Sequence, residues 1–189
     1  MGLKENTSAA HTKAHQTAFA QEMMSGNMSE EKYKKYLWNA YIAYDILEDI
    51  ALSMGVYGPI QEGDHRPLDG IIRQDRILAD FKELGGDTNN PPALVAAVNE
   101  FKSYIVSELQ DDVDGLTAQS FAWHNHLLTS GAETKSKVPG SGTMYGFEDA
   151  LGTVAEVEAD MKLRLKDSMT AEATKGFEYI ERMFEQLDA

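Results

Sequence analysis

Leu3-Lys4-Glu5-Asn6-Thr7-Ser8-Ala9-Ala10-His11-Thr12-Lys13-Ala14-His15 is the stretch from which the fold is read. It is amphipathic and built largely of residues compatible with a helix. His11 and His15 stand four apart, so on a helix both project from one face. Lys4 stands about two helical turns upstream of His11. The small residues Ser8, Ala9 and Ala10 leave room beside the histidine for a flat group.

The helical period continues outward from this stretch almost to the end of the chain. The spacing predicts one helix over about 5–24, ended by Ser25-Gly26-Asn27. Ser29 then reads as an N-cap, with Glu30 and Glu31 favouring the positive end of the next helix dipole. That helix carries Tyr33, Leu37, Ala40, Tyr44 and Leu47 on one face and is expected to end near Gly55. Gly55, Gly58, Pro59, Gly63 and Pro67 mark an irregular connection. A helix over about 69–84 follows, stopped by Gly85-Gly86. After Asn89-Asn90-Pro91-Pro92, the series Leu94, Val98, Phe101, Ile105, Leu109 describes a core-facing stripe. A helix over about 115–136 breaks at Val138-Pro139-Gly140-Ser141-Gly142. Phe147, Leu151, Val154, Met161 and Leu165 form the next stripe, and Phe177, Ile180, Phe184 and Leu187 the last. No stretch alternates as a strand. The expected architecture is one all-α domain over 1–189, a bundle of about seven helices with short connections.

Composition narrows the function. The chain has 189 residues, 42% hydrophobic and 25% charged, an ordinary globular balance. No apolar run approaches the roughly 20 residues of a membrane span, and no charged-then-apolar leader opens the sequence, so the expectation is a soluble, cytoplasmic protein without membrane association. With 0 cysteines, disulfides, thiolate-ligated metals and cysteine nucleophiles are excluded. A net charge of -14 argues against nucleic acid, because phosphate repulsion opposes binding over any broad face. An acidic redox partner needs a local basic patch. Lys32, Lys34 and Lys35 are the candidate, or else a solvated helix face.

The histidines are His11, His15, His65, His124 and His126. A neutral imidazole at His11 can ligate a haem iron, and Lys4 can reach a propionate. The His11/His15 pair encloses only Thr12, Lys13 and Ala14, which supply no catalytic carboxylate, so the zinc-protease pattern is absent. Glu62 and His65 match Glu-x-x-His, but Gly63 lies between them and the second copy required by a di-iron bundle is missing. His124 and His126 lie in Trp123-His124-Asn125-His126, mid-helix among apolar neighbours. The small residues Ser130, Gly131 and Ala132 let that helix approach a flat ligand, or let two helices pack closely.

Together these segments resemble the haem oxygenase family. Leu3-Lys4-Glu5 through Ala9-Ala10-His11-Thr12-Lys13-Ala14, with Phe19 behind, is similar to the family's proximal helix. Tyr41-Ile42-Ala43-Tyr44-Asp45-Ile46-Leu47-Glu48 resembles its second helix. Lys137 through Phe147 resembles the connection after its distal helix, and Glu172-Ala173-Thr174-Lys175-Gly176-Phe177 with Phe184-Glu185-Gln186-Leu187 its C-terminal helix. The resemblance implies a haem oxygenase-like bundle in which haem is both substrate and cofactor, opened with dioxygen and electrons to biliverdin, carbon monoxide and ferrous iron. It implies His11 as the proximal iron ligand, and Lys4, Lys162 and Arg164 as propionate anchors. His15 stands at a position often acidic in the family, near the proximal side. Counted back from Pro139, the family's distal Gly-Asp-Leu-x-Gly-Gly-Gln becomes His126-Leu127-Leu128-Thr129-Ser130-Gly131-Ala132, with Leu127 at the aspartate's place and Ser130 and Gly131 beside the ring. His124, Asn125, His126 and Thr129 are then the candidates to hold catalytic water, since each can donate or accept. The partners implied are an electron donor such as ferredoxin or a flavin reductase, and a downstream bilin reductase. Two alternatives stay open: a haem-binding protein without turnover in which His126 is a second iron ligand, and a haem-free member of the same fold. The missing cysteine disfavours thiamin-degrading relatives.

Overall fold

A computed structural model describes residues 2–59, 70–147 and 153–189. Nine α-helices are found among the described residues, and no strand. They are α1 (Leu3–Asn6), α2 (Ser8–Gln16), α3 (Ala18–Ser25), α4 (Glu30–Ser53), α5 (Gln74–Glu83), α6 (Ala96–Tyr104), α7 (Val113–Lys135), α8 (Val154–Arg164) and α9 (Thr170–Asp188). The all-α class expected from the periodicity is what the chain adopts. Glu62, His65 and Leu151 lie outside the described residues.

Nine helices replace the expected seven because the N-terminal one is cut twice by threonine. The Thr7 hydroxyl donates to Leu3 O at 2.9 Å. Thr17 has φ -59° and ψ 148°, donates to Ala14 O and accepts the Ala20 N–H as an N-cap. Its branched side chain offers the backbone a local alternative to the helical ladder. The segment that carries His11 is therefore a nine-residue rod with a break at each end.

Ser29 caps α4 through the Lys32 N–H at 3.2 Å, as its position suggested. α5 starts later than the expected 69, at Gln74, because its cap is tertiary. The buried Glu48 carboxylate on α4 accepts from Arg73 N–H at 2.8 Å and from Gln74 N–H at 2.9 Å. Gly85, at φ 74°, ends α5. The stripe over 94–109 is α6, continued by a wider π-type turn over Ile105–Leu109.

α7 runs through the middle of the bundle, and nearly every residue from Gly115 to Leu128 is buried. α9 packs on it and also on α2, α3 and α6. The α7–α9 approach depends on Gly176, where an added Cβ would stand 2.6 Å from the Ala122 Cβ. This close seat brings Phe177 of α9 against His11 on α2, and Phe184 against Phe19 on α3.

Candidate functional site

α2 lies over α7 and α9, and His11 faces inward between two spaces. On one side is an enclosed cavity of about 40 Å³ that includes His15, Trp123, His126, Leu127 and Phe177 in its wall. On the other is a cleft of about 240 Å³ formed with Lys4, Thr7, Phe121, Asn125, Thr129 and Phe177. The His11 ring meets Phe177 edge-on at 5.4 Å and lies 4.3 Å from the His15 ring. Its Nε2 is buried and has no hydrogen-bond partner among the described residues. Burial, then the neighbouring His15 and Lys4, hold its pKa down to about 4, so the ring is neutral at pH 7. A neutral imidazole with an uncommitted buried nitrogen is what iron ligation requires.

His126 reaches the same cavity from α7 in the opposite condition. Its Nδ1 is 2.9 Å from Ser130 Oγ and its Nε2 3.0 Å from Thr134 Oγ1. Its ring lies 4.8 Å from that of His15. Burial, with His15 and His11 nearby, holds its pKa down to about 3. The Trp123 indole Nε1 is a second buried polar atom without a partner.

At the outer end of the cleft, Glu158 bridges two lysines. Its Oε1 is 2.9 Å from Lys162 Nζ and 3.7 Å from Lys4 Nζ. These residues, with Phe121 and Asn125, line a narrow extension of about 30 Å³. The Lys162 and Lys4 ammonium groups lower the Glu158 pKa.

Of the residues singled out in the sequence, the structure gathers His11, His15, Asn125, His126, Thr129, Lys4 and Lys162 around these spaces. Four others are placed differently. His124 is fully buried on the far side of α7, its Nε2 2.8 Å from Glu48 Oε1 and its Nδ1 2.8 Å from Ser120 O, so it serves the α4–α7 junction and not the cleft. The Arg164 guanidinium is consumed by Asp160 at 2.9 Å and by the carbonyls of Val56 and Gly58, pinning that turn to α8. Gly131 faces Tyr145, whose carbonyl would stand 3.5 Å from an added Cβ, and with Thr129 and Ser130 lines a separate open cleft of about 850 Å³. Ser130 touches the site only through His126. In the candidate basic patch, Lys32 pairs with Glu22 and Asp188, and Lys34 with Glu31. Sequence reasoning missed Glu158, whose i,i+4 spacing to Lys162 was a usable signal, and Phe121, which carried none.

Fold and site together describe an all-helical protein that presents one buried, uncommitted imidazole between two helices, with lysines at the edge of the cleft. The family model described as Heme oxygenase matches residues 1–123, and the chain belongs to the heme oxygenase family. It is 24% identical over 204 aligned positions to heme oxygenase 2 of Mus musculus and 23% identical to that of Oryctolagus cuniculus. These alignments cover 98% of this chain but 64% and 65% of the relatives. The fold is similar to that of heme oxygenase-1 from the cyanobacterium Synechocystis in complex with heme, with TM-score 0.79 and 16% identity over 98% of this chain and 90% of that one. It is similar also to heme oxygenase from Leptospira interrogans, with TM-score 0.79 and 19% identity over 98% of this chain and 99% of that one. No helix among the described residues is long and apolar enough to cross a membrane.

Proposed function

We propose that this chain binds haem, whose iron His11 would hold, and opens the macrocycle to biliverdin, releasing carbon monoxide and ferrous iron. The observation that carries this is the buried, unpartnered His11 Nε2. Leaving such an atom unpaired costs about 1–3 kcal/mol, a cost that a metal bond removes. A lone imidazole suits an iron that arrives with its own porphyrin nitrogens, and histidine ligation supports oxygen chemistry without the electron push of a thiolate.

When bound, haem supplies both the iron that activates dioxygen and the ring carbon that is oxidised. The protein's share is binding and proton positioning. His11 holds the ligand from α2, and Lys4 and Lys162 anchor its propionates at the Glu158 end of the cleft. Between positions 115 and 132, α7 carries no aspartate or glutamate. Water on that side is therefore held by neutral groups, namely the Asn125 amide and the Thr129 hydroxyl. Thr129 donates to Asn125 O at 2.8 Å and keeps its lone pairs to accept. Admission of so large a group requires α2 to part from α7, since the spaces beside His11 are smaller than the roughly 300–1,000 Å³ of ordinary ligand pockets. The threonine breaks at Thr7 and Thr17 let α2 move as a unit, held by ring contacts and by the Lys13–Glu181 pair at 3.3 Å. Electrons come from an outside donor such as ferredoxin or a flavin reductase. The product suits a bilin reductase, and the reaction belongs in the cytoplasm beside these partners.

Titration with haemin, followed by single turnover with ascorbate or ferredoxin under dioxygen, tests the reading. Biliverdin formation supports it, and haem consumed or retained without biliverdin overturns it. A second reading, haem held without turnover by His11 and His126 together, draws on the position of both rings at one cavity. A low-spin ferric spectrum lost in His126→Ala favours that reading. Failure to bind haemin favours the haem-free one.

A further inference from the structure

The structure assigns to Ser130 and Thr134 a task at this site: they form a hydroxyl clamp that withholds His126 from the iron that His11 binds. The inference rests on the haem-binding reading above and adds two positioning residues to it.

The argument is one of donors and acceptors. Thr134 is fully buried, and its Oγ1 lies 3.0 Å from Ser130 O, a carbonyl that can only accept. A hydroxyl has one proton. The other acceptor of Thr134, Met24 Sδ at 3.3 Å, is the weaker one, and the competing contact from Ser130 Oγ to His126 O is longer at 3.4 Å. The Thr134 proton therefore goes to the Ser130 carbonyl, Thr134 Oγ1 accepts from His126, and the His126 proton sits on Nε2, 3.0 Å away. A neutral ring then keeps its lone pair on Nδ1, and this nitrogen accepts from Ser130 Oγ at 2.9 Å. Both nitrogens are occupied by side chains of their own helix, four and eight residues on. Iron ligation through either nitrogen would break its hydrogen bond to one of these hydroxyls. His11, across the cavity, faces no such competition. The two histidines are alike in chemistry, and the hydroxyls make them unlike in availability.

The test has two parts. In the ligand-free protein, nitrogen–proton correlation NMR is expected to show His126 as the Nε2–H tautomer, shifted in Thr134→Val and restored in Thr134→Ser. The Nδ1–H tautomer in the wild type overturns the clamp without any haem being present. In the ferric haemin complex, the wild type is expected to show a single histidine ligand. Ser130→Ala/Thr134→Val is expected to convert most of the population to a low-spin, two-histidine spectrum, which disappears when His126→Ala is added. Ser130→Ala alone, at a half-buried position, gives a partial conversion and guards against misfolding at the buried threonine. A double variant that binds haemin with the wild-type spectrum overturns the clamp alone, as does a wild type already ligated by two histidines. If no variant binds haemin, the functional reading falls and the inference with it.

Discussion

His11 and His126 look into the same small cavity from facing helices, and their environments are opposite. On α2, a short rod between two threonine breaks, the imidazole has a buried nitrogen with nothing bonded to it. On α7, the long central helix, the imidazole has both nitrogens bonded within its own helix. Burial depresses the pKa of both, so both rings are neutral at pH 7 and charge does not tell them apart there. Partner accounting does. The short segment carries the available ligand and the long central helix carries the committed ring.

Breaking the contrast at its stronger end has the largest expected effect. His11→Ala should abolish histidine ligation of haemin in absorption titrations, with partial return on adding imidazole, while His126→Ala keeps it. Next comes the histidine that stands two residues before His126. His124→Ala removes one partner of the buried Glu48 carboxylate, which keeps the Arg73 and Gln74 N–H groups, and should cost about 1.5–3 kcal/mol in urea unfolding, the range for a hydrogen bond to a charged group. His126→Ala, at a half-buried site, should cost less.

Acid sharpens the same comparison. Folding holds His11 and His126 below their ordinary 6.5, so the unfolded chain binds protons first as pH falls. Stability contributed by these rings is fully present above about pH 6.5. It is lost progressively as pH falls through about 4, where His11 charges, towards about 3, where His126 does. Urea midpoints measured against pH should show this slope, and His126→Ala should flatten it from about pH 6.5 downward. The smallest effect belongs to the edge of the cleft. Glu158→Gln leaves Lys4 and Lys162 without their shared carboxylate. Exposed pairs are worth about 0.2–1 kcal/mol, so haemin affinity should rise only a few-fold, with no change for the haem dimethyl ester, which lacks the propionate charges.

Much of the fold was legible because period and caps are local. Ser29 and the apolar face of α4 fixed one helix, and the spacing of Phe177, Ile180 and Phe184 another. The start of α5 was not legible, because Glu48, 25 residues earlier, supplies its cap. Nor was the division of the first helix, where Thr7 and Thr17 act through side-chain hydrogen bonds that no apolar period reports. At the site, the errors share one geometry. His124 and His126 are two residues apart, as are Lys162 and Arg164, and residues two apart on a helix face different ways. A cluster in the sequence is split by the helix between site and core: His126 meets the cavity and Lys162 the end of the cleft, while His124 pairs with Glu48 and Arg164 with Asp160. The lack of a carboxylate on α7 between 115 and 132 needed no structure.

The most direct test of the account is the iron–histidine stretching band in the resonance Raman spectrum of the ferrous haem complex. The account predicts a five-coordinate, histidine-ligated iron in the wild type and in His126→Ala, with the band absent in His11→Ala. A band that survives in His11→Ala, or that vanishes in His126→Ala, would contradict it.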